Sequence, residues 1–395
     1  MEYMKKTIPQ LKDICREKGV KGYSGKSKAK IIELLTSQSA EAPVSVAQGT
    51  EPRYRVISLF SGMCGMDVGF AEQVVVHRDS VSPDFIESPH HIEGFVNLKP
   101  LPFDTVFQND ILPEAKRIAE LNNWNHNYQL KDIRTLLHEN YAFPAADIIT
   151  GGFPCQDFSH AGKRQGFDAA RGTLYQSYVE LVRRIKPTMF IAENVNGLLT
   201  MPGAIETIVA DFTAVGYEVK YQLMKCEEYG IPQTRWRVII MGLRLDKRAS
   251  CLSGNWNLIT ENKRRCTIRP YFRHLAEPDV TTDLAQQVYS KAARLAKGQG
   301  QKEVGLDEFG PTMRAEHHGN IEFRRITGGK NEAGLERRLT VREAALIQTF
   351  PPDCVLTETR PTSKAYKPIG NAVPPLLGYL IARKVREILS KVESS

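Results

Sequence analysis

Residues 151–159 read GGFPCQDFS, so a short apolar run, DIIT, passes through two glycines and an apolar–proline pair into Cys155. A thiol is a useful nucleophile only when it is accessible and partly ionised, which nearby positive charge or a helix N-terminus promotes. Lys163 and Arg164 follow in the same loop, the proline stiffens the approach, and the glycines let a substrate come close. A structural cysteine in a turn would account for this stretch if it stood alone. Two other groups accompany it. FIAENVNGLL ends an apolar run with Glu193 and Asn194, and YGIPQTRWRVIIMG carries Arg235 and Arg237 at alternate positions, which an extended segment puts on one face. A thiolate, a carboxyl group and an arginine gathered at one sheet edge can activate an unsaturated ring. The carboxyl group protonates or hydrogen-bonds a ring nitrogen, the thiol adds to the conjugated carbon, and the adjacent carbon becomes nucleophilic.

Such a constellation needs strands to present it. RVISLF, DTVFQ, ADIIT, PTMFIAEN and RVIIMG read as short β-rich runs, while EAKRIAELN and TLYQSYVELVRRIK have helical spacing. The alternation predicts an α/β fold with a parallel sheet covered by helices on both faces. RVISLFSGMCGMDVGF reads as a buried strand, a glycine turn and a helix, a form that brings backbone N–H groups to a ligand. A nicotinamide cofactor is the usual first guess, but Gly62, Gly65 and Gly69 do not make a clean GxGxxG and Cys64 sits within the turn. TVFQND ends a second strand in Asp110, a candidate ribose acceptor or else a helix cap. Residues 77–103 intervene and read as an inserted surface loop.

The chain has 395 residues, room for two or three domains, and a formal net charge of +8. Seven cysteines without CxxC pairs or zinc spacing fit free thiols in a reducing compartment. No secretion signal or membrane-length apolar run is present, so a cytoplasmic, nucleoid-associated protein is expected. Residues 1–38 hold nine Lys/Arg against four Asp/Glu, and residues 244–336 hold sixteen against twelve. That excess favours a polyanionic partner. TIPQLKDICREKG reads as a helix capped by Thr7, and KSKAKIIELLTSQ as a second one with Lys26, Lys28 and Lys30 near its start. Joined by VKGYSG, the pair resembles the SAP module, a helix–loop–helix DNA-binding unit. Residues 39–52 read as a linker.

The motifs together resemble the DNA cytosine carbon-5 methyltransferases of the prokaryotic type. The resemblance covers roughly residues 53–243 and 337–395, in the family's order: FSGMCGMDVGF, FQNDI, KDI, GGFPCQDFS, the run into FIAENV, QTRWRV, RRLTVREAALIQTFP and PIGNAVPP. It implies a Rossmann-like, S-adenosylmethionine-dependent methyltransferase sheet with a smaller target-recognition domain over residues 244–336. Residues 337–395 would return to the catalytic domain. Cys155 would attack carbon 6 of cytosine, Glu193 would bind the ring nitrogen and amino group, and Arg235, with Arg237, would hold thiolate and base in line. Asp110, Ile111, Asp132 and Ile133 would contact the cofactor's ribose and adenine, Phe60, Gly62 and Gly65 would shape its turn, and Asn371 would reach it from the other side. Cys64 departs from the family's usual glycine.

A cytosine in a duplex is shielded by stacking and must be swung out, at a cost of a few kcal/mol, which contacts elsewhere offset. The expected DNA contacts are Gln156 and Ser159 of the catalytic loop, then Arg314, His317, His318, Asn320, Arg324 and Arg325, with the basic and aromatic ENKRRCTIRPYFRH beside them. His317 and His318 lack a third ligand at suitable spacing, so no metal is expected. The helix LLGYLIARKVREIL is expected to pack against the catalytic sheet. The chain reads as a monomeric, sequence-specific enzyme on double-stranded DNA, serving restriction–modification with a nuclease that acts separately. A tRNA cytosine-5 methyltransferase and a DNA-binding regulator without chemistry are the alternatives.

Overall fold

The computed structural model describes residues 53–71, 74–154, 174–247, 256, 259–289, 302–314, 323–325, 337–358 and 365–394, with Thr7, Gln10, Ser27 and Lys28 near the N-terminus. The chain divides into two compact units, residues 1–52 and 53–395. In the first, Gln10 and Lys28 are helical, and Gln10 Oε1 accepts from Thr7 N at 2.9 Å and Thr7 Oγ1 at 3.1 Å. The rest of the SAP-like pair and the linker lie outside the described residues.

In the second unit the chain runs β1 (Tyr54–Leu59), α1 (Gly65–Phe70), β2 (Val75–His77), β3 (Ile86–Pro89), β4 (Phe95–Leu98), β5 (Phe103–Asp110) and α2 (Pro113–Leu121). It continues through β6 (Tyr128–Leu130), α3 (Ile133–His138), β7 (Ile148–Gly151), α4 (Leu174–Ile185), β8 (Met189–Val195), α5 (Ala204–Ala214), β9 (Tyr217–Lys225) and β10 (Trp236–Arg244). After α6 (Ile268–Phe272) come β11 (Lys302–Val304), β12 (Phe323–Arg325) and β13 (Arg337–Arg338), then α7 (Val341–Ile347), α8 (Tyr366–Asn371) and α9 (Pro375–Glu393).

Seven strands form one sheet in the order β6-β5-β1-β7-β8-β10-β9. Its central strands β7, β8 and β10 are buried almost throughout, as a sheet covered on both faces requires, while edge strand β9 keeps polar side chains at partly exposed positions. Tyr54 and Val56 of β1 enter one core while Ile57 and Leu59 enter the other, and β8 divides likewise between Met189, Ile191 and Phe190, Ala192. The first core is closed by α1, α9 and the small sheet, the second by α3, α4 and α5. The expected packing of the C-terminal helix is seen at Gly69, where an added Cβ would stand 2.5 Å from the backbone of Gly378 in α9. Two glycines let α1 and α9 touch backbone to backbone.

Two expectations are corrected. The sheet is not wholly parallel: β10 runs antiparallel to both β8 and β9. Only the segment from Cys226 to Arg235 joins β9 to β10, too little for the crossover that a parallel pair needs. Residues 77–103 are not a surface loop either. β2, β4 and β3 make a three-stranded antiparallel sheet whose Val76, Val96 and Leu98, with Phe85 just before β3, are buried in the first core.

Candidate active site

The carboxyl ends of β1, β5, β7 and β8 open on a cavity of about 1110 Å³, which the start of β10, residues 312–314 and residues 370–373 also line. In an α/β sheet of this kind, that is where a ligand is expected.

At one end, β1 leaves the sheet through Phe60, φ 53°, and Gly62, φ 54°. The Gly62 N–H donates to Asp110 Oδ2 at 2.8 Å, while Asp110 Oδ1 accepts from Ile111 N at 2.7 Å and Leu112 N at 2.9 Å. Burial raises the Asp110 pKa, opposed by these three amides and by Lys367, which also lines the cavity. Ile111 is 62% exposed beside this carboxylate. Tyr128 donates its hydroxyl to Gly62 O at 2.8 Å. Asp132 caps α3, accepting from Arg134 N at 2.9 Å and pairing with the Arg134 guanidinium, and Ile133 lines the cavity from the first turn. Asn371 stands on the opposite wall. Gly65 is not among the lining residues. An added Cβ there would meet Val373 O at 2.0 Å, so this glycine serves close packing of the C-terminal segment.

Cys64 has φ 66°, the left-handed region that glycine enters without cost. Its thiol is fully buried and accepts from Gln108 Nε2 at 3.2 Å. Burial first, then Asp67 and Asp110, push its pKa far above the ordinary thiol value, so this cysteine is not a nucleophile.

At the other end, Glu193 and Arg237 are each only 8% exposed, with Arg237 Nε 2.6 Å from Glu193 Oε1. The contact is an ion pair without hydrogen-bond alignment, leaving Oε1 with no hydrogen-bond donor among the described residues. An added Cβ on Gly152 would lie 2.9 Å from Glu193 Oε2, so glycine here admits the carboxylate. Asn194 Nδ2 donates to Phe153 O at 3.1 Å and ties the end of β8 to the segment leading into Pro154, which lines the cavity. Cys155, Gln156 and Ser159 lie outside the described residues.

Arg235 is placed differently from the expectation. Strand β10 begins one residue later, and the Arg235 guanidinium turns to backbone carbonyls: Met313 O at 2.9 Å, Ala372 O at 3.0 Å and Gly370 O at 3.3 Å. Burial, with Arg237 adding to it, pushes its pKa down to about 9, which leaves it charged at neutral pH. The arginine that meets the glutamate is Arg237.

Arg314 is exposed and lines the cavity. Arg324 and Arg325 belong to β12, and their side chains, like the whole of His317, His318 and Asn320, lie outside the described part of the chain. The aromatics of ENKRRCTIRPYFRH do not face a nucleic acid. Tyr271 is wholly buried, hydrogen-bonded to Ser80 at 2.8 Å, and Phe272 is 4% exposed. Sequence reasoning also passed over Gln233, Lys367 and Tyr128; only Gln233 carried a signal, being two residues before Arg235 in the same motif. One polar cluster was unforeseen: His90, His91 and Asp353 bring ligand atoms within 4.8 Å of one another. His90 Nδ1 accepts from Ile92 N at 3.2 Å, which puts the imidazole proton on Nε2, facing Asp353 at 3.5 Å. That tautomer offers a cation no lone pair there.

Residues 54–387 match the sequence model of the C-5 cytosine-specific DNA methylases. The chain is 31% identical over 371 residues to the type II methyltransferase M.BsuRI of Bacillus subtilis, covering 87% of this chain and 82% of the relative. It is 29% identical over 381 residues to the type II methyltransferase M.BspRI of Lysinibacillus sphaericus, covering 90% and 87%. Among solved structures, the S. pombe Dnmt2 methyltransferase superposes with a TM-score of 0.57 at 18% identity, over 85% of this chain and 99% of that one. The Entamoeba histolytica methyltransferase EhMeth gives 0.58 at 17%, over 86% and 99%. At such identity the two structures speak for the fold alone.

Proposed function

Because the chain belongs to the C-5 cytosine-specific DNA methylase family, we propose that it is the modification enzyme of a type II restriction–modification system, methylating cytosine within a short duplex sequence. The observation that carries the reading is the buried Glu193–Arg237 pair at the strand ends, opening on the same cavity as Asp110.

S-adenosylmethionine, the family's methyl donor, fits the other end of that cavity. The Asp110 carboxylate would receive ribose hydroxyls, exposed Ile111 would cover an adenine face, and the glycine turn with Asn371 would close around the rest. When bound, it supplies the electrophilic methyl group that carbon 5 accepts. The chain's residues do the remainder. Cys155 as thiolate bonds to carbon 6 of the flipped base, breaking the 5,6 double bond and moving its electron pair to carbon 5. Glu193 holds the ring nitrogen and amino group, steadying the charge that moves into the ring, and Arg237 fixes Glu193 and the carbonyl edge of the base. After methyl transfer, the carbon-5 proton leaves to a base or solvent, its bonding electrons restore the double bond, and the Cys155 thiolate is expelled. The enzyme acts as a monomer wherever DNA is held, with any partner nuclease separate.

DNA carrying 5-fluorocytosine at the target lacks the proton to lose, so it traps the adduct. The expected result is a denaturant-stable complex with the wild type, none with Cys155→Ser, and turnover on cytosine lowered about 10²–10⁴-fold in Glu193→Gln. Normal turnover on cytosine without any trapped complex would overturn the mechanism. Labelled methyl transfer to tRNA instead of duplex DNA would favour the RNA reading, and bisulfite sequencing of DNA from expressing cells would give the target.

A further inference from the structure

Arg235 is 1% exposed, and no carboxylate forms an ion pair with it among the described residues. Its Nη1 donates to Met313 O and Gly370 O, its Nη2 to Gly370 O and Ala372 O, and its Nε has no acceptor among those residues. Two buried glutamines extend the knot. Gln233 accepts from Met313 N at 3.0 Å and donates to Gln348 Oε1 at 2.7 Å, while Gln348 donates to Ile369 O at 2.6 Å and Ala372 O at 3.1 Å. The carbonyls held in this way come from two separate walls of the cavity. Met313 precedes Arg314 within residues 244–336, the stretch read as the recognition region, and Gly370 and Ala372 flank Asn371 on the cofactor side.

A buried, unneutralised charge is a poor way to stabilise a fold, since an apolar side chain of similar volume usually serves as well or better. What a guanidinium offers instead is a rigid planar fork that spans several acceptors at set angles. We propose that Arg235 is a positioning residue that couples DNA binding to cofactor binding. One fork grips both walls, so the arrangement that suits one ligand is imposed on the segment that meets the other. The inference rests on the reading of the cavity as a joint site for cofactor and cytosine. Such coupling is reciprocal: each ligand tightens the other by the same factor.

The test uses the full chain, S-adenosylhomocysteine, and a duplex bearing the site mapped by bisulfite sequencing. DNA affinity is measured by anisotropy with and without saturating S-adenosylhomocysteine, and the reverse titration checks reciprocity. The wild type is expected to show a coupling factor of about 5 to 150, and Arg235→Lys, which keeps the charge but cannot span both walls, a factor of about 1 to 2. In that variant each ligand alone binds within about threefold of wild type. Gln348→Met, which removes the bonds to Ile369 and Ala372 without touching a charge, is expected to lose coupling in the same direction and carries the test if Arg235→Lys does not fold. Wild-type coupling in a folded Arg235→Lys or Gln348→Met overturns the proposal, as does a parallel loss of both affinities with the factor intact. Normal binding of both ligands to the wild type without coupling also overturns it, whereas failure of the wild type to bind either ligand strikes the proposed function instead.

Discussion

At the scale of single residues, two cysteines of the family's motifs, Cys155 and Cys64, divide by their neighbours. Cys155 follows a glycine pair and a proline in sequence, with Lys163 and Arg164 further along, whereas Cys64 is desolvated beside two carboxylates at the N-cap of α1, its thiol making no capping hydrogen bond. What keeps Cys64 in a left-handed conformation is packing: its side chain joins Ala119 and Tyr128 in a small buried cluster. A non-glycine residue in that conformation costs about 1–2 kcal/mol, close to what burial of so small a side chain returns. Cys64→Gly is therefore expected to change stability by no more than about 1 kcal/mol. Cys64→Val adds a β-branched carbon to the same φ and is expected to lose about 2 kcal/mol or more. Urea unfolding of the two variants measures both. The glycine usual in the family and the cysteine here are two solutions to one backbone constraint.

Among the elements, reversal of β10 matters most. Its first residues lie at the end of the sheet where β8 finishes, and the register puts Ile239 opposite Glu193 and Arg237 opposite Val195, so the two charged side chains share a face. The small sheet β2-β4-β3 has its own consequence for pH. His274, just after α6, stacks edge-on against Phe95 of β4 at 5.1 Å, and neither of its ring nitrogens has a partner among the described residues. Burial, then Arg342 and His77, push its pKa down to about 4. A histidine neutral in the fold but ordinary when unfolded takes up its proton on unfolding between those two values. Stability should therefore fall as pH drops from about 6.5 towards 4, and level off below. His77, also lowered by burial, adds in the same direction. His274→Phe should flatten that loss, read as melting temperature against pH; a curve as steep as wild type would refute the assignment. Strands were legible where burial on both faces made them mostly apolar, as in RVISLF. Strand β9, YEVKYQLMK, escaped notice because an edge strand keeps polar side chains at solvent positions, and β2 to β4 escaped because each is only three or four residues long.

For the molecule as a whole, the basic surplus is placed unevenly. Five of the eight net positive charges arise in residues 1–38, where nine Lys/Arg meet four Asp/Glu. If this segment lies on phosphates, its lysines release counterions on binding. Replacing Lys26, Lys28 and Lys30 together by Gln should lower the slope of log affinity against log salt by about 2 to 3, since each phosphate that a lysine neutralises adds about 0.9 to it. Turnover at saturating DNA should stay unchanged, because residues 53–395 form a compact unit of their own. An unaltered slope would remove the DNA-binding reading of the N-terminal segment.

Residue types and their spacing pointed to activation of an unsaturated ring by a thiol, an acid and paired arginines, and the order of the motifs, through their resemblance to the cytosine carbon-5 methyltransferases, named the reaction class. They could not decide which arginine meets Glu193. Alternate spacing puts two side chains on one face only while the backbone stays extended, and Arg235 lies just before β10 begins, where the chain turns its guanidinium towards Met313, Gly370 and Ala372. That choice, like the burial of residues 77–103, depends on partners distant in sequence, and only the packed chain supplies them.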